Sequence, residues 1–309
     1  MHDLPPDLIV CERDWLSSNN LICLGDAPAI IDTGHVKNAA ETLALVRQHL
    51  GDQPLASVAH THLHSDHCGG SGTLQRAYPG AQTWVPEPSL AHVQSWDEDQ
   101  LTFGDTVQRC DRFNAQHALV PGARVRLGQH DWELHPAPGH DTLAVLLFQP
   151  EHGVLMAGDA MWEHGVGVIF PYIDGSAGFE PFLDTLDLVE RLAPQVVVPG
   201  HGAPFSRQGG ALDAALARAR ARIQQFQDNP AQHALYAAKV LIKYQMMDVE
   251  QMPAPAFDAW LHSAPSLHKL HQQHRPDMAW ADWLNTVILG PMFDKGQLRR
   301  TDAAVLNGV

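Results

Sequence analysis

Ala59-His60-Thr61-His62-Leu63-His64-Ser65-Asp66-His67-Cys68-Gly69-Gly70 places four candidate metal ligands on one short stretch, in the pattern H-x-H-x-D-H. The apolar run Leu55 to Ala59 before it reads as a buried strand. Gly69-Gly70 breaks the run, and Ser71 to Ala77 reads as the start of a helix. The ligands therefore sit on a loop at the C-terminal end of a strand, where open α/β sheets place their sites. In an extended loop His62 and His64, two apart, project to one side, while Asp66 and His67 turn the other way and can serve a second ion. The competing reading, a solvated histidine-rich loop, leaves the partners elsewhere in the chain unexplained.

Those partners share one pattern, a strand followed by a Gly-flanked His or Asp. Pro138-Gly139-His140-Asp141 follows the strand-like Asp131 to His135, and Gly158-Asp159 closes Gly153 to Ala157. Pro199-Gly200-His201-Gly202 closes Val196 to Val198, and upstream Ala29-Ile30-Ile31 runs into Asp32-Thr33-Gly34. Glycine at such positions lets the backbone turn sharply and approach a ligand closely.

In this order, Asp32-Thr33-Gly34, H-x-H-x-D-H, Gly-His, Gly-Asp and Gly-His resemble the metallo-β-lactamase superfamily, with the motifs spanning residues 32 to 201. The resemblance implies an α/β fold, a four-layer αβ/βα sandwich with a dinuclear metal centre at one edge. It implies that His62, His64 and His140 hold one ion, that Asp66, His67 and His201 hold the other, and that Asp159 bridges both. It assigns Asp32 to orienting the histidine loop, so that Asp66 and Asp32 are the catalytic carboxylates beside the ligands. Independently of the family, imidazoles and carboxylates without cysteine suit zinc, with iron or manganese as alternatives. Two such ions can lower the pKa of a shared water from ~15.7 toward ~7, giving a hydroxide that attacks a carbonyl polarised by one of them.

The chain has 309 residues, 45% hydrophobic and 18% charged, with a formal net charge of −15. That describes a globular protein and disfavours nucleic acid or an anionic membrane as partner. The N-terminus lacks a basic segment followed by an apolar one, and no run of about 18 apolar residues occurs, so a cytoplasmic location without a membrane span is expected. Four widely spaced cysteines (Cys11, Cys23, Cys68, Cys110) form no C-x-x-C pair, and Cys68 reads as a packing residue rather than a nucleophile.

Residues 1–228 form the expected catalytic domain. Within it, residues 87–118 lack a clear period, with Trp96, Phe103 and Phe113 as candidate apolar anchors. The segment Ala160 to Tyr172 is too glycine-rich for a helix, and it leaves the strand end that carries Asp159. Trp162, His164, Phe170 and Tyr172 are therefore the candidate substrate contacts. Helices are expected over Phe179 to Leu192 and Gly209 to Gln227, the second exposing Arg218, Arg220 and Arg222 as a solvated basic face. Asp228-Asn229-Pro230 marks a boundary. Residues 229–309 read as a helical region without strand signal until a helix and short hairpin at the end, similar to a winged helix. Capping the site or a homodimer contact are its other readings. Lys239, Lys243 and Tyr244 are its candidate contacts to an anionic substrate group.

Gly158-Asp159-Ala160-Met161-Trp162-Glu163-His164-Gly165-Val166-Gly167 is similar to the glyoxalase II pattern G-D-x-L-F-x-x-G-x-G, but Val168 stands where that family continues with Arg. The departure points away from glutathione thioesters toward acyl-CoA or other thioesters. The expected function is therefore hydrolysis of a small acyl ester or thioester. A lactonase ranks lower because Trp162 replaces the Tyr those enzymes carry, and a nuclease or phosphodiesterase because the chain is strongly acidic.

Overall fold

The computed structural model describes residues 4–103, 107–171 and 178–308. The chain forms two compact units. One comprises Met1–Phe103, Gln108–Gly167 and Phe179–Ile223; the other comprises Gly104–Val107, Val168–Gly178 and Gln224–Val309.

The first unit is built on two six-stranded sheets. One contains β1 (Leu8–Cys11), β2 (Asn20–Cys23), β3 (Ala29–Ile31), β4 (Ser57–Ala59), β5 (Gln82–Pro86) and β6 (His117–Leu119), in that order. The other runs β12 (Phe205–Ser206), β11 (Val196–Pro199), β10 (Val154–Gly158), β9 (Val145–Gln149), β8 (His130–Pro136) and β7 (Arg124–Leu127). Side chains alternate across a strand, and the residues follow that rule. Leu21, Ile31 and Ala59 join Leu127, Trp132, Leu147 and Met156 in a core shared by the two sheets. Ile22, Ile30 and Val58 face the other way, onto Val46 and Leu50 of the helix Ala39–Leu50 and Leu74 of the helix Ser71–Ala77. Every position of β9, β10 and β11 is buried, so the second sheet is covered on both faces. The helix Glu180–Leu192 buries Phe182, Leu186 and Val189, the stripe its 3.6-residue period predicts.

Strand direction decides where the motifs meet. β3 and β4 are parallel, as are β10 and β11. β8 and β10 each pair antiparallel with β9, so they too run the same way. The C-terminal ends of these strands deliver Asp32, the histidine loop, His140, Asp159 and His201 to one edge of the sandwich. From the segment after β5, Val93, Leu101, Phe103 and Phe113 pack on Leu63 and Cys68 of the histidine stretch and Val85 of β5, and Trp96 packs against both Phe103 and Phe113.

In the second unit the helix Pro230–Val249 is capped by Asn229, whose side chain accepts from the Gln232 N–H at 3.1 Å, with Pro230 in the first turn. It buries Ala234, Ala238, Leu241 and Ile242 against Phe257, Leu267, Trp283, Ile288 and Met292. The expected closing hairpin is present as β14 (Leu298–Arg300) and β15 (Ala304–Asn307). The region was expected to lack other strands, but β13 (Gln251–Pro253) pairs with β15 at the sheet edge. Three residues ending in proline carry no readable alternation, and an edge tolerates proline because one side of the strand needs no donor.

The expectation that Lys243 meets a substrate anion is also replaced. Its ammonium donates to Asn307 Oδ1 at 2.6 Å, to the Gly308 carbonyl at 2.6 Å and to the Gln297 carbonyl at 3.2 Å. An ammonium has three protons, and all three are engaged. Lys243→Met leaves these acceptors without their donor and is expected to destabilise the second unit by about 1–3 kcal/mol. Hydrogen exchange of residues 298–308, faster in the variant than in wild type, is the measurement; unchanged protection there would show that the lysine does not hold the final strands.

Candidate metal centre

The site grows from a buried carboxylate. Asp32 follows β3 in the left-handed region, at φ 57°, and is fully buried. Its Oδ1 accepts the Thr61 N–H at 2.9 Å, and its Oδ2 accepts the Thr61 hydroxyl at 2.8 Å and pairs with His67 Nδ1 at 2.8 Å. Burial alone would raise the Asp32 pKa, but the facing His67 and His60 rings outweigh it and hold the carboxyl below the ordinary range. The Thr61 hydroxyl also meets His62 Nδ1 at 3.1 Å, so one carboxylate orients the start of the histidine loop and the ring of His67.

Two donor sets lie on this support. His62, His64 and His140 form one, and Asp66, His67, Asp159 and His201 the other. In the first, His62 Nε2 is 3.1 Å from His64 Nδ1, which is 2.8 Å from His140 Nε2, and the three rings stand nearly perpendicular to one another. In the second, Asp66 Oδ2 is 3.1 Å from His201 Nε2 and 3.8 Å from His67 Nε2. Asp159 divides its oxygens: Oδ1 is 3.3 Å from His67 Nε2 and 3.8 Å from His201 Nε2, and Oδ2 is 3.4 Å from His140 Nε2.

These residues fit divalent cations. Ligands ~2.1 Å from a tetrahedral ion lie ~3.4 Å apart, close to the separations seen. His67 Nε2 is buried without a hydrogen-bond partner. Burial pushes His62 well below its usual value and His64 down to about 4, helped by the neighbouring histidines, so both are neutral near pH 7 as ligation requires. Burial opposes ionisation of Asp66 and Asp159, but His67 and His201 overcome it, bringing Asp66 to about 2 and Asp159 well below the carboxylate range. His67, disfavoured as a cation by burial, is nevertheless held well above its usual value by Asp159, Asp32 and Asp66. Gly200 permits the closeness: a Cβ there would collide with Asp159 Oδ1 and lie 2.8 Å from His67 Cε1. Cys68 is buried, its thiol pKa raised by burial and by Cys110, in keeping with a packing role.

Of the expected substrate contacts, Trp162 lies at the centre. Its indole N–H donates to Asp159 Oδ1 at 3.1 Å and its ring meets His201 edge-on at 5.3 Å. His164 is 78% exposed and pairs with Glu163 at 3.5 Å. Phe170 packs on the core of the second unit, and Tyr172 lies outside the described residues. Sequence reasoning missed Trp15. It is 60% exposed, stacks on His201 at 5.5 Å and meets Trp162 edge-on at 5.5 Å. Its loop is tied to both donor loops: Ser18 N–H donates to the Asp66 carbonyl at 2.9 Å and Asn19 N–H to the Gly200 carbonyl at 2.7 Å. The Asn19 amide adds bonds to the Pro199 and Gly202 carbonyls. Ser17 to Asn20 reads as a polar turn in sequence, and nothing local signals that it is buried.

The fold and donor set are those of a metal-binding hydrolase sandwich, and the comparisons agree. Residues 13–201 match the metallo-beta-lactamase superfamily, and the chain belongs to that superfamily. Over 163 residues it is 28% identical to an acyl-coenzyme A thioesterase, MBLAC2, of Gallus gallus, covering 49% of this chain and 57% of that protein. Over 205 residues it is 32% identical to a hydroxyacylglutathione hydrolase of Anaeromyxobacter dehalogenans, covering 66% of this chain and 69% of that protein. The chain thus spans just over half the length of the first relative and about two-thirds of the second. Among solved structures, the metallo-beta-lactamase family protein TTHA1429 of Thermus thermophilus shares the fold across 98% of this chain and 99% of its own, with a TM-score of 0.55 and 20% identity.

Because Asp159 offers one oxygen to each donor set, Asp159→Ala is expected to lower the metal content of both. Elemental analysis finding wild-type content would show that Asp159 is not shared. Asp32→Ala is expected to fold, keep some metal and lose ~10–100-fold in metal affinity or activity; wild-type turnover would remove Asp32 from the site.

Proposed function

We propose that this protein hydrolyses a small acyl ester or thioester with two divalent ions, zinc in the first instance, held by His62, His64 and His140 and by Asp66, His67 and His201, with Asp159 between them. The observation that carries the reading is the division of the Asp159 oxygens between two complete donor sets. When bound, the ions supply Lewis acidity and a hydroxide at neutral pH. The chain's own residues do the rest. Asp32 fixes Thr61 and His67, and the Trp162 N–H fixes Asp159. To the Asp66 carboxylate, which His67 and His201 keep ionised, we assign the proton-accepting role. Trp162 and Trp15 present an apolar wall that suits an acyl group better than a phosphodiester. The names of the relatives, an acyl-coenzyme A thioesterase and a hydroxyacylglutathione hydrolase, support a thioester.

The catalytic domain is taken as residues 1–228 and the C-terminal domain as 229–309. In the latter, the order helix, strand, helices and hairpin, with β13 paired to β15, supports a winged-helix-like reading. Nuclease activity finds little support in the basic residues. Arg218 donates to the Glu163 carbonyl, Arg220 pairs with Asp187 and Glu190, and Arg300 lies over the Phe293 ring. No described helix is long and apolar enough to cross a membrane.

The metal-loaded protein is to be assayed on acyl-CoA and glutathione thioesters, simple esters, lactones, a phosphodiester and a β-lactam. An ester or thioester is expected to be the best substrate; fastest turnover of the phosphodiester would overturn the proposal. Trp162→Ala and Trp15→Ala are expected to raise KM several-fold and change the preferred acyl length, Trp15→Ala at constant metal content. Unchanged selectivity in both would remove the aromatic wall from the substrate site.

A further inference from the structure

A third group of metal-ligating side chains lies at the opposite edge of the first unit. His130, Glu151 and His152 each offer a ligand atom, and these atoms all lie within 4.8 Å of one another. His130 opens β8, whose other end leads to His140, and Glu151-His152 lie in the turn before β10, whose other end leads to Asp159. A strand rises ~3.3 Å per residue, and β8 has seven residues and β10 five, so strand length alone keeps this group well away from the first two donor sets.

We propose that His130, Glu151 and His152 form a structural site for one divalent transition-metal ion, with Asp7 as its supporting carboxylate. Three features carry it. His130 is 7% exposed, and its Nε2 meets Asp7 Oδ2 at 2.6 Å, leaving Nδ1 for an ion. That repeats the pairing of His67 with Asp32, in which a carboxylate on one ring nitrogen fixes the ring and raises the basicity of the other. The His130 and His152 rings stand 5.4 Å apart at 90°, and the His62 and His140 rings stand 5.2 Å apart at 87°. The turn is held: His152 N–H donates to Gln149 Oε1 at 2.7 Å, and Gln149 is itself buried. Two imidazoles and a carboxylate suit zinc, cobalt or nickel better than calcium or magnesium. Asp7 immediately precedes β1 of one sheet, while the three ligands belong to the other. An ion held there fastens the start of the chain across the sandwich through the Asp7–His130 pair.

The test uses the full chain, stripped of metal with a chelator and titrated with zinc, with stoichiometry from calorimetry and stability from thermal unfolding. His152→Ala and Glu151→Gln alter exposed side chains outside the catalytic centre, and each is expected to bind one ion fewer than wild type. Asp7→Asn is expected to keep the ion with ~10–100-fold weaker affinity. Zinc should raise the Tm of wild type more than that of any of the three variants, while hydrolysis by the loaded variants stays unchanged. The difference of one ion between wild type and His152→Ala is the readout, whatever number the candidate catalytic centre takes up. Equal stoichiometry in wild type and His152→Ala, or a third ion taken up only at millimolar zinc as an adventitious ion only, would overturn the proposal.

Discussion

Everything at the candidate centre depends on the buried Asp32 carboxylate. A fully buried carboxyl group is costly unless its oxygens are satisfied, and here a backbone N–H, a hydroxyl and an imidazole satisfy them. The first two belong to Thr61 in the loop after β4 and the third to His67 in the one-turn helix Ser65–Cys68, so the cost of burying the charge is offset only when the whole histidine stretch is in place. The left-handed conformation at Asp32, uncommon for a residue with a side chain, turns the chain off β3 toward that loop. The ligand geometry is thus held by a residue that belongs to neither donor set.

Around this anchor the centre consists of anions and imidazoles close enough to shift one another's protonation. His62 and His64 are driven neutral by burial, while Asp66 and Asp159 are kept ionised by the imidazoles beside them. Opposite charges and low polarity would work against each other in an isolated pair. Packed as they are, they leave His62, His64, Asp66 and Asp159 in the protonation states that cations require. Close approach is possible because the strand ends carry glycine: Gly200 sits where any side chain would strike Asp159. Trp162 joins this network, since its indole N–H donates to the Asp159 carboxylate that faces both donor sets.

The two units differ in how clearly their sequences declare them. In the first, buried strands alternate or run apolar and end on glycine-flanked ligands, so pattern and chemistry agree. In the second, short helices are separated by prolines at their first turns, and the core draws on Ala, Leu, Met and Trp scattered over many breaks. β13 is too short for a period, and Lys243 resembles a free surface cation until the final strands fold back onto it.

The sequence by itself determined the superfamily and the two-sheet fold, and it named the seven residues that the structure gathers into two candidate donor sets. Ligand type and strand-end glycine are local properties, written in adjacent residues. Only the tertiary structure decided how those donors are shared, that Asp32 grips Thr61 and His67, and that Trp15 stands over His201. It also decided that Asp7, His130 and His152 meet, and that Phe170 packs on the second unit's core. Each of these depends on pairing between strands distant in the chain. Parallel β3–β4 and β10–β11 bring ligand loops to one edge, while the antiparallel pairs β7–β8 and β9–β10 put the turns beside His130 and His152 at the other. No local pattern encodes which distant segments become neighbours at those two edges, because burial and strand pairing decide it collectively.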